Sequence, residues 1–218
     1  MKDNKIVDDY MFEIEDDYLS DLFSETVKEV KGKSFFDILN LQGSLNRELY
    51  LGDIEEGVGT TIEAQIRFWN EYDEKHNIPV EERTPIKIYV DSYGGSLTET
   101  LCMIDAINIS KTPVWGICRS SAYSGGLFTL LACHKRFGYA HSSYLFHEGA
   151  TSNSGTANQF ENYSRFYRVQ LDQLKEHLLN TTTLNEEWYR EHQKEDIWFT
   201  AKEALESGII DGIVETFI

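Results

Sequence analysis

IKIYVDSYGGSLTETL, residues 86–101, is the stretch that decides the fold class. Ile86–Asp91 is rich in β-branched and aromatic residues and reads as a strand. Gly94 and Gly95 interrupt it. Ser96 and Glu99 then stand at capping-box spacing, and Leu97, Leu101 and Ile104 recur at helical intervals. A strand that turns through glycines into a helix is half of a parallel β–α repeat. The same grammar continues outward in both directions. Arg47–Leu51 reads as a strand. Thr60 and Glu63 have capping-box spacing and predict a helix with Ile62, Ile66 and Trp69 on one face. Residues 74–85 hold two of the three prolines and many charges, and read as a surface loop. Pro113–Cys118 is an apolar strand, Ser124–Cys133 a short leucine-rich helix, and 143–147 a strand ending in His147. The Gly/Ser-rich stretch 149–156 reads as flexible or extended. Residues 157–179 form the longest helix, with Phe160, Tyr167, Leu171, Leu174 and Leu178 on one stripe. Thr200, Glu203 and Gly208 bracket a last short helix, and the strand IIDGIV follows. The alternation predicts an α/β fold with largely parallel sheets.

The 218 residues suit one packed domain with an appendage. The domain is expected over 33–218, and an acidic N-terminal extension over 1–32. That extension scatters Ile6, Val7, Phe12, Ile14 and Leu22 among many carboxylates. It reads as a solvated tail, with a pro-segment or gating segment as the alternative. Met1-Lys-Asp-Asn-Lys leads into acidic sequence, so no secretory leader is expected. No apolar run has the length of a membrane span, so no membrane partner and a cytoplasmic location are expected. The net charge is −17, from 37 acids against 20 bases, which argues against a nucleic-acid partner. Cys102, Cys118 and Cys133 lie in apolar segments and read as small core residues of a reducing compartment. No metal-ligand spacing joins the histidines to acids, and no cofactor is expected.

Ser124-Gly125-Gly126 sits at a strand–helix junction. A helix start leaves backbone N–H groups unpaired and carries partial positive charge. A serine hydroxyl held there could act as a nucleophile, with the next N–H stabilising an oxyanion. The competing reading is an ordinary N-cap serine. Asp91-Ser-Tyr-Gly-Gly-Ser96 is a second junction of the same kind, which places two sets of free N–H groups at one end of the sheet. It could also be a plain tight turn. Among the six histidines, His76 and His177 read as solvated, and His134 follows the nucleophile's own helix and points away. His147 ends a strand and is the candidate base, or else a hydrogen-bonded core histidine. Asp196 is the attractive orienting acid, because apolar residues follow it at once and allow it to be partly buried.

From about residue 35 to 217 the chain resembles the ClpP peptidases, the proteolytic chamber of ATP-dependent Clp proteases. Four segments carry the resemblance, in order: IKIYVDSYGGSLTETLCMIDAI, WGICRSSAYSGGLFTLLAC, SSYLFHEGATSNSGTANQF and EDIWFTAKEALESGIIDGIVE. The resemblance implies a crotonase/ClpP-like spiral of β–β–α units with a protruding handle helix, the handle lying at about 149–180. It implies a serine endopeptidase with Ser124 as nucleophile, His147 as general base and Asp196 as its orienter. The N–H groups of Gly95 and Gly125 become the oxyanion hole. It further implies a homo-oligomer, a heptameric ring or stacked double ring, fed with unfolded polypeptides by an AAA+ unfoldase. Several positions depart from the family pattern. Tyr93 replaces a proline, Gly125 a methionine, Glu148-Gly149 a Gln-Pro pair, and Glu195 a basic residue. The rival readings are a non-catalytic or regulatory ring subunit, a phage capsid-maturation protease of the same fold, and a crotonase-type acyl-CoA enzyme.

Overall fold

The computed structural model describes residues 43–152 and 154–217. The acidic extension 1–32 lies outside them. Every element below belongs to the compact unit that begins at Arg47. In order these are β1 (Glu48–Leu51), α1 (Val58–Lys75), β2 (Ile86–Ser92), α2 (Leu97–Ile109), β3 (Val114–Tyr123), α3 (Gly125–Ala132), β4 (Lys135–Gly138), β5 (Ser143–Phe146), α4 (Ala157–Thr181), α5 (Glu186–His192), β6 (Ile197–Thr200), α6 (Ala201–Glu206) and β7 (Gly212–Ile213).

The seven strands form one sheet, ordered β1-β2-β3-β4-β7, with β5 and β6 on a branch. All pairs are parallel except β5–β6. The mixed α/β architecture is the one the sequence predicts. The branch arises from the length of β3. Its first half, Trp115–Cys118, pairs with β4, and its last three residues, Ser121–Tyr123, pair with β5. The sequence predicts this strand over Pro113–Cys118, and the structure extends it through Arg119-Ser-Ser to Tyr123. Those residues stay in the strand because a second partner, β5, takes over their hydrogen bonds. The short strands β4 and β6 and helix α5 escaped the sequence reading. Each is too brief for its periodicity to stand out.

Along β2 burial alternates strictly. Ile86, Ile88 and Val90 are fully buried, while Lys87, Tyr89 and Asp91 are half-exposed on the other face. The buried face lies against the helical layer, in which α1 packs on α2, α2 on α3, and α3 on both the sheet and α4. Helix α1 begins at Val58, before the predicted Thr60, and its N-cap Gly57 makes no side-chain capping bond. The cap comes from another helix. Glu99 Oε2 accepts from the Gly59 N–H at 2.8 Å and from the Thr60 N–H at 3.4 Å. Glu99 therefore does not close the capping box with Ser96, whose hydroxyl still accepts the Glu99 N–H. A carboxylate at a helix N-terminus is favoured by the helix dipole, and here it also joins two helices.

Of the predicted apolar stripe on α4, Leu174 and Leu178 are buried, Tyr167 and Leu171 are half-buried and Phe160 is exposed. Phe166 and Val169, off that stripe, are exposed too. No strand forms in the described part of 149–156, which runs in an irregular path into the Thr156–Gln159 capping box of α4. His177, expected to be solvated, is half-buried, and its Nε2 lies 3.2 Å from the Phe128 carbonyl of α3. The α6 capping box of Thr200 and Glu203 forms as predicted. Cys118 and Cys133 are buried, and Cys102 is partly exposed. Among the described residues no helix is long and apolar enough to cross a membrane.

One buried charge cluster was not legible beforehand. Asp73 of α1 is wholly buried and takes a two-pronged contact from Arg47, at 2.8 and 2.5 Å, and the Thr112 hydroxyl at 2.7 Å. Arg83, also buried, bonds Thr112. The Arg47 guanidinium lies 4.4 Å from the centre of the Trp69 ring. Burial pushes the Asp73 carboxyl up. The Arg47 and Thr112 hydrogen bonds and the Arg47 and Arg83 charges outweigh it, so the group sits below its ordinary value of 3.8. Its contribution to stability is complete above that value and is lost as pH falls towards the folded-state value.

Asp73→Ala strands the Arg47 charge and is expected to cost about 3–5 kcal/mol in denaturant unfolding. His177 also loses stability as pH falls, but because its buried neutral form resists protonation. Burial pushes it below its ordinary 6.5, the Phe128 carbonyl partly offsets this, and Arg136 lowers it further. The unfolded chain therefore binds a proton that the folded chain resists, and stability declines as pH falls below 6.5. His177→Gln should flatten that decline between about pH 7 and about pH 5 in thermal melts, where both forms are compared.

Candidate active site

Ser124 stands between the end of β3 and the start of α3, with φ 51° and ψ −121°. Positive φ is uncommon outside glycine and costs on the order of 1–3 kcal/mol, so the surroundings must hold it. Its N–H donates to the Leu145 carbonyl of β5 at 3.0 Å. The residue occupies the N-cap position of α3, yet its side chain makes no capping hydrogen bond. Capping serines adopt extended backbone and accept an N–H of the first turn. Capping thus does not account for this hydroxyl, which is left partly exposed beside the helix start.

The second junction lies directly against the first. A β-carbon on Gly94 (φ 97°) would stand 2.7 Å from that of Ser124, so only glycine fits. Gly95 (φ 147°) is equally confined, because a β-carbon there would run into the Ile54 carbonyl. Ile54 N–H donates to the Gly94 carbonyl at 2.8 Å, and Ser96 N–H donates to the Ile54 carbonyl at 2.7 Å. These are the two bonds of a parallel bridge between Ile54 and Gly95. They leave the Gly95 N–H pointing away from Ile54. Gly125 is the first residue of α3, where N–H groups lack helical acceptors. Among the described residues no acceptor takes the N–H of Gly95 or of Gly125. Gly125 is also closely packed, since a side chain there would meet Thr100 and Ile54. The methionine that the resemblance implies at this position has no room.

His147 and Asp196 are brought together by strand register. In the antiparallel β5–β6 ladder Leu145 faces Trp198 and Phe146 faces Ile197. The next positions outward are His147 and Asp196, and Nδ1 lies 3.9 Å from Oδ1. That is near enough for attraction and too long for a hydrogen bond. Among the described residues no hydrogen bond joins Ser124 Oγ to His147. Asp196 departs from the sequence expectation. Its side chain is 67% exposed, against 30% for His147. It precedes a strand that, among the described residues, pairs only with β5 and lies at the edge of the sheet. The remaining histidines are engaged elsewhere or lie at the surface. His134 Nδ1 accepts the Val114 N–H, His192 stacks on Trp188, and His76 is exposed at the end of α1.

The structure thus places Ser124, Gly95 and Gly125 around one turn, and His147 beside Asp196. The Ser124–Leu145 bond links the two groups, two residues before His147. Ile54 was absent from the sequence reading. It carries no chemical signal, and only its backbone serves the site. Gly94→Ala is expected to push the Ser124 turn out of place. A displacement of about 1 Å should cut the reactivity of the Ser124 hydroxyl by about 10²-fold, measured as the rate of covalent labelling by a fluorophosphonate.

Comparison with known proteins agrees with this architecture. The family model described as Clp protease matches residues 47–217. ATP-dependent Clp protease proteolytic subunit 2 of Treponema denticola is 28% identical over 196 residues, 88% of this chain and 94% of the relative. The protein of the same name from Treponema pallidum is 32% identical over 133 residues, 60% of this chain and 67% of its own length. The ATP-dependent Clp protease proteolytic subunit of Leuconostoc citreum is 30% identical over 174 residues, covering 76% and 81%. A match that runs from before the first strand to beyond the last, on a mixed α/β fold with a largely parallel sheet, makes this chain a member of the Clp protease family and a serine-type peptidase.

Proposed function

We propose that the chain is the proteolytic subunit of an ATP-dependent assembly, cleaving unfolded polypeptides with Ser124, His147 and Asp196. The observation that carries this reading is the Ser124 backbone, held at φ 51° with a hydroxyl that caps nothing. Ser124 Oγ attacks the scissile carbonyl and His147 takes its proton. The Gly95 and Gly125 N–H groups receive the oxyanion of the tetrahedral intermediate. His147 then protonates the leaving amine, and water, deprotonated by His147, releases the acyl group. Asp196 orients the imidazole and stabilises its charged form. The 3.9 Å gap between His147 and Asp196 closes as substrate binds, as in other sites whose hydrogen bonds tighten only in the complex.

Assembly into a ring of like subunits has its own support. Parallel sheets normally have both faces covered. Here one face lies under helices, while Tyr50, Lys87 and Tyr89 stay at least partly exposed on the other, with the Tyr50 and Tyr89 rings stacked 5.5 Å apart. A second copy of the chain covers such a face without adding a new domain. The exposed Phe160, Phe166 and Val169 of α4 offer a second contact. The relatives' names, which call them proteolytic subunits of ATP-dependent Clp proteases, support an ATPase partner. In this reading that partner delivers the unfolded substrate, and the assembly is cytoplasmic. The ring is heptameric, single or stacked in a pair.

Incubation with a fluorophosphonate, followed by peptide mapping, should place the adduct on Ser124. Ser124→Ala should keep the wild-type melting temperature and lose peptide hydrolysis by about 10⁶-fold. Unchanged turnover by pure Ser124→Ala would overturn the assignment.

A further inference from the structure

Four successive residues in the turn after β2 carry N–H groups, and three of those groups have acceptors. Tyr93 N–H donates to Asp53 Oδ1 at 2.9 Å, Gly94 N–H to Ser92 Oγ at 3.1 Å and Ser96 N–H to the Ile54 carbonyl at 2.7 Å. The Gly95 N–H, among the described residues, has none. The turn does not impose this pattern on itself. Gly94 and Gly95 are adjacent glycines with φ 97° and 147°, and their backbone freedom is wide. The restraint comes from residues 53 and 54, which follow β1.

These two residues hold the turn at three points. Ile54 N–H donates to the Gly94 carbonyl at 2.8 Å. That carbonyl and the Gly95 N–H belong to one trans peptide group and point in opposite directions, so the bond directs the free N–H away from Ile54. The Ile54 carbonyl holds Ser96, after the glycines, and Asp53 holds Tyr93, before them. Without Asp53 both remaining anchors lie at or beyond Gly94, and the turn can swing about them. The Ile54 bonds are made by backbone, which most residues supply. Asp53 acts through its side chain, so this anchor depends on residue type. A carboxylate acceptor strengthens the bond, but Asp53 is exposed, and a hydrogen bond made in water adds little to folding stability. Its effect lies in where it puts the turn. Gly94 lies against Ser124, so a shift of one turn reaches the other.

We infer that Asp53 is a positioning residue, which fixes the Gly95 N–H as an oxyanion donor beside Ser124. This rests on the peptidase site proposed above, and adds to it a residue that acts through the Tyr93 amide and not on the reacting atoms. An amide side chain serves the same purpose as the carboxylate, because the Tyr93 N–H needs only an acceptor at that reach. A residue that acted on substrate through its charge would not tolerate that exchange.

The test measures hydrolysis of an uncharged fluorogenic peptide by the full chain and its variants. Asp53→Ala should lower kcat about tenfold and leave KM unchanged, as expected when a donor that acts in the transition state is displaced but not removed. Asp53→Asn should restore kcat to within about twofold of the parent. Tyr93→Pro removes the N–H that Asp53 accepts. Ser92 is in a strand and Tyr93 lies outside the positive-φ region, as proline requires. In that background Asp53→Ala should cost nothing further. Deuterium exchange of the segment 90–96, followed in the Ser124→Ala chain, reads the clamp without catalysis. Exchange there should be faster with Asp53→Ala than with Asp53→Asn. Equal kcat for Asp53→Ala and the parent, or equal exchange in the two Asp53 variants, overturns the inference. So does an Asp53→Asn chain as slow as Asp53→Ala, which would assign the effect to charge, and so does a loss of the same size with and without the Tyr93 amide. Thermal melts of the Asp53 variants should match the parent, and a lowered melting temperature that tracks the loss of kcat would make Asp53 a structural residue only. A parent chain that neither turns over nor labels at Ser124 would count against the peptidase reading, while the exchange comparison still decides whether Asp53 holds the turn.

Discussion

Everything at the candidate site depends on how closely the backbone at Gly94 approaches Ser124. The two strand–helix turns are in contact, and a single methyl group between them would separate them. The contact gathers into one place a hydroxyl, a helix N-terminus and a second free N–H. It also explains why glycines occur in pairs at both turns. Gly94 yields to Ser124, Gly95 yields to the Ile54 carbonyl, Gly125 yields to Thr100, and Gly126 yields to Ser92. The Ile54 bridge then fixes the direction of the Gly95 N–H by consuming its neighbours' hydrogen bonds.

Away from the site, polar side chains act as joints between elements that hydrophobic packing alone would leave free to slide. Glu99 couples α2 to the start of α1, and Asp73 couples α1 to Arg47 and Thr112. Arg136 bonds both Asp211 and the last turn of α4. Buried ion pairs contribute little net stability against well-packed apolar residues, but a lost partner leaves a costly charge. Such joints accept one arrangement and penalise the alternatives. They fix the relative positions of α1, α2 and α4 around the α3 helix that carries Ser124 at its start.

The forked sheet divides the proposed chemistry between two branches. Ser124 follows the strand where the fork occurs, while His147 and Asp196 flank the antiparallel branch, whose outer strand is an edge among the described residues. Closely packed backbone surrounds Ser124 and the N–H groups of Gly95 and Gly125. His147 and Asp196 sit where the structure is less enclosed, and their separation of 3.9 Å exceeds a hydrogen bond.

The sequence by itself determined the α/β class, the strand–glycine–helix turns, the α6 cap and the identity of the candidate site residues. These are carried by local signals: alternation along β2, helical spacing in α2, and serines and glycines at element ends. What escaped it was non-local. The Thr60–Glu63 spacing looked like a cap, but Glu99, forty residues away from Gly59, took that role. The apolar run predicts a strand only to Cys118, but β5 supplies a second partner that carries it to Tyr123. Apolar neighbours suggested shelter for Asp196, but its edge position leaves it in water. Only the tertiary structure decided that Ser124 adopts a left-handed turn with no capping bond, because that conformation is imposed by Gly94 and Leu145, which reach it through space and not along the chain.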